Sequence, residues 1–117
     1  ALEDTDPEIR RRSASYLGWK MIVSAVPSLI DIASKDKVIY VRKAALEALG
    51  SLGSKEAVPV LIDALDSRDL ELRKTAYKSL TQVAGEYTEF NADASLSERF
   101  KSIQKWEKWW KNQKVQA

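Results

Sequence analysis

The sequence predicts an all-α fold, an α-solenoid (α–α superhelix) of about two and a half helical hairpins plus a C-terminal capping helix. Two observations carry this. The first is an internal repeat. Ala25-Val26-Pro27-Ser28-Leu29-Ile30-Asp31 returns 32 residues later as Ala57-Val58-Pro59-Val60-Leu61-Ile62-Asp63. In the same register Asp4 meets Asp36, Arg10 meets Arg42, Leu17 meets Leu49 and Gly18 meets Gly50. A third copy follows at an offset of 31, where Arg42 meets Arg73, Ala45 meets Ala76 and Leu49 meets Leu80. A period of this length marks a supersecondary unit that cannot bury its apolar face alone and stacks on its copies. The second observation is periodicity. Apolar residues recur at three- and four-residue steps, and there is neither an alternating strand run nor an Asn-Gly or Asp-Gly hairpin signal.

The elements follow in order. Asp6 caps a first helix near Pro7 to Gly18, and Pro7 takes the first helical position, where its missing N–H costs least. A second helix near Ala25 to Ala33 has Ser24 in the capping position. In the next copy Val38, Val41, Ala44, Ala45, Ala48, Leu49 and Leu52 share one helix face. Gly50 and Gly53 break that pattern and suit a helix end and tight turn. A helix from about Lys55 to Leu65 carries Pro59 in or just beyond its first turn and a stripe of Val58, Leu61, Ile62 and Leu65. After Gly85 a polar stretch, Glu86 to Asp93, has Tyr87 and Phe90 as anchors. Ser95-Leu96-Ser97-Glu98 is a capping box that opens a long helix. On it Phe100, Ile103, Trp106 and Trp110 form one stripe with Trp109 at its border, while Lys101, Lys105, Lys108 and Lys111 fill the other face. That stripe is expected to pack on Ala76, Tyr77, Leu80 and Val83. The expected organisation is repeats over residues 1–85 (about 4–34, 35–66 and 67–85), a connecting loop over 86–95 and the capping helix over 96–114.

Asp-x5-Arg at Asp4/Arg10 and Asp36/Arg42, then an Ala-rich helix, Leu-Gly and Ala-Val-Pro-x-Leu-Ile, resembles the HEAT repeat. The nearest variety is the short kind also found in phycobilisome lyases. In such families the Asp and Arg form a ladder between neighbouring repeats. The resemblance therefore implies a structural role for Asp4, Arg10, Asp36, Arg42 and Arg73, with Arg42 reaching Asp36 or Asp4. The third copy departs from the pattern, since Ser67 stands in the place of the Asp, with Asp66 and Asp69 as near substitutes. The Trp-x-x-Trp-Trp helix resembles the closing helix of bacterial HEAT-containing proteins. At the other end Ala1-Leu2-Glu3-Asp4 aligns with Ala64-Leu65-Asp66-Ser67, so the chain reads as a piece of a longer solenoid.

Composition narrows the chemistry. The chain has 117 residues, 44% of them hydrophobic, which supports a packed core. There is no histidine and no cysteine, which removes the commonest general base, thiol nucleophiles and thiolate metal sites. No Gly-rich phosphate loop occurs, and the four glycines are expected at helix ends. No catalytic, cofactor-binding or metal site is expected, and no cofactor. The net charge of +2 is uneven, because residues 99–117 carry six cations against Glu107. A second basic cluster is Arg10-Arg11-Arg12.

Two surfaces remain as candidates. The second helices should line the concave face of a solenoid, with Ser28, Asp31, Val60, Asp63 and Ala64 outward. Asp31 above Asp63 would then make an acidic ridge for a basic peptide, or merely solvate the helices. The Trp/Lys helix is core on its apolar side, or else a stacking platform or membrane anchor. The expected function is a non-enzymatic protein–protein interaction scaffold with a protein or peptide partner. Nucleic acid and membranes are not the expected partners. The alternatives are binding of a nucleic-acid backbone through the basic clusters and, on resemblance alone, an accessory or lyase subunit for a chromophore protein.

Overall fold

A computed structural model describes residues 2–85 and 90–116, with side chains in the last helix described as far as Gln113. Among these residues there are six α-helices and no strand. They are α1 (Pro7–Trp19), α2 (Val26–Lys35), α3 (Ile39–Leu52), α4 (Val58–Ala64), α5 (Leu70–Ala84) and α6 (Leu96–Gln116). One layer is made by α1, α3 and α5, each packed on the next, and a second layer runs from α2 to α4 to α6. Two such layers around one core are how helices with a single apolar stripe become buried. The all-α solenoid architecture is thus realised, with Val41, Ala45, Leu49, Leu61, Leu72, Ala76 and Leu80 fully buried in it.

Local chemistry sets the helix starts. The Asp6 carboxylate accepts the Glu8 N–H at 2.9 Å, and that of Asp69 accepts the Leu72 N–H at 3.0 Å. Ser95 Oγ accepts from the Glu98 N–H at 3.3 Å, the forward half of the capping box. Ser24 does not cap α2. It lies within a short 3₁₀ turn, Val23–Ala25, and Ala25 precedes the helix without a side-chain bond. The same turn recurs at Lys55–Ala57 before α4. Both α2 and α4 place Pro in their first turn, where no N–H is needed.

The glycines divide into two kinds. Gly53 and Gly85 end α3 and α5 with left-handed φ of 65° and 67°. Gly18 and Gly50 lie, as expected, in the last turns of α1 and α3, and both are buried there. A Cβ on Gly18 would come within 2.7 Å of Ala48 Cα, and one on Gly50 within 2.8 Å of Ser79 Cβ. Each glycine lets one first-layer helix approach the next.

The last helix closes the core. It packs on α4 more than on α5, the expected partner. Trp106 is 0% exposed and Ile103 is buried, both in the hydrophobic core. Trp109 and Trp110 pack at its edge. Phe100 departs from the expected stripe, at 58% exposure. It lies only one turn inside the helix start, beyond the reach of the core that covers Ile103 and Trp106. Phe90 anchors the connecting segment, with its ring 5.7 Å from that of Tyr77. Tyr87, the other expected anchor, lies outside the described residues.

Candidate functional site

The ladder positions come first, because they fix how the repeats sit. Arg10 reaches forward to the next copy, donating from Nε to Asp36 Oδ2 at 2.8 Å and from Nη2 to Oδ1 at 3.2 Å. Its Nη1 donates back to the carbonyls of Asp4 and Thr5, at 2.8 and 3.1 Å. Arg73 repeats the backward half, donating Nη1 to the carbonyls of Ser67 and Arg68, and sends Nε to the Ala92 carbonyl at 3.0 Å. Arg42 differs from the expectation. Its Nε donates to the Ala33 carbonyl at 2.9 Å, and among the described residues no hydrogen bond joins it to Asp36 or Asp4. The reason is competition, since both carboxylate oxygens of Asp36 are already held by Arg10. Asp4 spends its carboxylate locally, on the Asp6 N–H at 2.8 Å.

The basic cluster at the start of α1 is neutralised in part. Arg11 and Arg12 both bond Glu8, the latter at 3.2 Å. The Arg11 hydrogen bond, with the charges of both arginines, pulls the Glu8 carboxyl down to about 2. Arg10 is committed to Asp36, so the three arginines do not form a free cationic surface.

The second layer carries the surface relief. Ser28, Asp31 and Asp63 are exposed on α2 and α4. Val60 is not, at 8% exposure, and Ala64 is buried as well. The expectation for these two fails because α4 is flanked by α2 on one side and α6 on the other, so a wider arc of it is covered. Three hollows lie along this layer. The first, about 350 Å³, lies between the Leu2–Glu3 segment and α2, bordered by Glu3, Pro27, Ser28 and Asp31. The second, about 250 Å³, lies between α2 and α4 and is bordered by Arg42, Val60, Asp63, Asp66 and Ser67. The third and largest, about 650 Å³, lies between α4 and α6, with Pro59, Ile62 and Trp110 beside Asp63, Glu107, Lys108 and Lys111. Glu3, Asp66 and Glu107 were not legible as members of this surface, because they come from a loop, a turn and another helix.

Among the described residues no group of three or more acidic side chains could hold a metal ion. Among the same residues no helix is long and apolar enough to cross a membrane.

Two layers of stacked hairpins, tied by an arginine–aspartate bond across a boundary, define a helical repeat solenoid. The chain belongs to the HEAT repeat family, whose family model matches residues 26–102, from the start of α2 into the first turns of α6. No curated protein matches it. HEAT repeats commonly serve as protein-interaction scaffolds.

Proposed function

We propose that this chain is a non-enzymatic interaction scaffold that receives a basic protein segment across the layer formed by α2, α4 and α6. One observation carries the reading: each hollow between successive elements of that layer is flanked by two carboxylates. These are Glu3 with Asp31, which an exposed Lys35 pairs at 2.9 Å, Asp63 with Asp66, and Asp63 with Glu107 beside Lys108 and Lys111. Neighbouring packed helices lie about 8–10 Å apart, and an extended chain advances about 3.3 Å per residue. A partner crossing the layer therefore meets a new hollow about every three residues. Lysine or arginine reaching these carboxylates is the matching chemistry, with Ile62, Pro59 and Trp110 offering apolar contact in the widest groove.

Nucleic acid fits this layer poorly. A phosphate backbone would meet the same carboxylates, and Lys108 and Lys111 are the cations bordering the largest hollow, opposite Asp63 and Glu107. Kinship with lyases of chromophore proteins rests on the short repeat length alone. The scaffold reading is tested by replacing Asp31 and Asp63 with Asn together and measuring affinity for a lysine-rich peptide by calorimetry at low salt. Weakening of about tenfold is expected from two lost charge contacts. An unchanged affinity removes this layer as the binding face.

A further inference from the structure

The middle hollow breaks the rule that the ladder sets elsewhere. Asp4, Asp36 and Ser67 occupy one repeat position, and all three brace the turn before a first-layer helix. Each accepts the N–H two residues on: that of Asp6 at 2.8 Å, Val38 at 2.9 Å and Asp69 at 3.1 Å. Asp36 has a second oxygen to spare, and Arg10 takes it. Ser67 has no carboxylate to offer Arg42, the counterpart of Arg10. Among the described residues Arg42 spends only its Nε on an acceptor, the Ala33 carbonyl. Arg42 and Ser67 both border the hollow of about 250 Å³ between α2 and α4. The ladder carboxylate of Asp36 senses the charge of Arg42 but is bonded to Arg10.

We propose that the hollow between α2 and α4 receives a carboxylate from the bound partner, held by Arg42 where Asp36 is held by Arg10. This rests on the second layer being the partner face. A guanidinium with unspent donors is the best receptor for a carboxylate, through two parallel N–H···O bonds. Asp63 and Asp66 on the rim repel a bare anion. The carboxylate must therefore arrive on a segment whose neighbouring residues are cationic. The partner class is a mixed-charge segment, an Asp or Glu flanked by Lys or Arg, rather than a uniformly basic one.

The test uses the full chain, ¹⁵N-labelled, titrated at low salt with the peptide acetyl-Lys-Lys-Ala-Glu-Ala-Lys-Lys-amide and with its Glu→Gln counterpart. The Arg42 side-chain Nε–H and the Ser67 amide are followed by NMR. The Glu peptide is expected to bind about tenfold more tightly, the usual worth of a charge-assisted bond, and to shift the Arg42 resonance. Ser67→Asp supplies the missing carboxylate within the chain. It should abolish the preference between the peptides and raise the melting temperature by roughly 4 °C. Equal affinities for the two peptides overturn the carboxylate site and leave the partner face standing. A preference that survives in Ser67→Asp, or a lowered melting temperature in that variant, also overturns it. If neither peptide binds, both readings fall.

Discussion

Arg10 grips Asp36 across a repeat boundary with two hydrogen bonds, and the Asp36 side chain is left 4% exposed. Burial alone would push this carboxyl up. The hydrogen bonds from Arg10 and the Val38 N–H, with the charges of Arg10 and Arg42, outweigh it and hold the group below the usual carboxylate range. A carboxyl whose folded pKa lies below its unfolded value stabilises the fold above about pH 3.9. That contribution is lost as pH falls through the folded value.

Asp36→Asn is therefore expected to lower stability by about 1–3 kcal/mol at neutral pH, as charge-assisted bonds become neutral ones. The variant should also lose less stability than the parent between pH 5 and pH 2. Urea unfolding at several pH values measures both. Parallel curves for the two proteins would mean that the pair is not linked to folding.

Gly18→Ala should destabilise although alanine is the better helix former. The helix-propensity gain is about 1 kcal/mol. The added methyl meets Ala48 Cα at 2.7 Å, and a backbone atom cannot step aside without parting α1 from α3. Overpacking of this kind costs about 1–3 kcal/mol. A variant as stable as the parent would show that the two helices can separate freely.

Trp106→Ala is expected to cost about 3–5 kcal/mol, the range for deleting a large buried aromatic. Trp106→Phe should cost much less, because it keeps most of the volume and removes an indole N–H that has no hydrogen-bond partner among the described residues. Phe100→Ala, by contrast, should fall within about 0.5 kcal/mol of the parent, as an exposed side chain does. Thermal unfolding of the three variants orders them. Equal losses at residues 100 and 106 would place the whole stripe in the core.

Met21→Gly is expected to stabilise the chain. Met21 has φ of 56°, a left-handed backbone that costs a non-glycine residue about 1–2 kcal/mol. It stands 32 residues before Gly53, which stands 32 before Gly85, so one closing position holds glycine in two copies and methionine in the first. Its N–H and that of Ile22 return to the carbonyls of Gly18 and Leu17, at 3.1 and 3.0 Å, which fixes the conformation. Its side chain is 54% exposed, so little packing is lost. After the entropy cost of a glycine is set against the strain, a gain of about 0.5–1 kcal/mol remains. A drop in melting temperature would mean that the Met21 side chain contributes more than its exposure suggests.

What the sequence determined by itself was everything that repeats. A period of about 32 residues dictated helical hairpins in a stack, because each hairpin's stripe needs a neighbour. The helix-capping Asp6, the prolines after each 3₁₀ turn and the buried Leu49, Leu61 and Leu80 follow from local pattern alone. Tertiary structure decided what happens where copies meet. Period could not tell that Gly18 and Gly50 are contact points as well as helix-end residues, since closeness between helices is not written in either helix. It could not tell that Val60 is covered, because that depends on α6 lying beside α4. Nor could spacing assign the partners of Arg42. Asp36 offers one carboxylate to two arginines, and only their positions in space decide that Arg10 takes it and Arg42 is left facing the hollow.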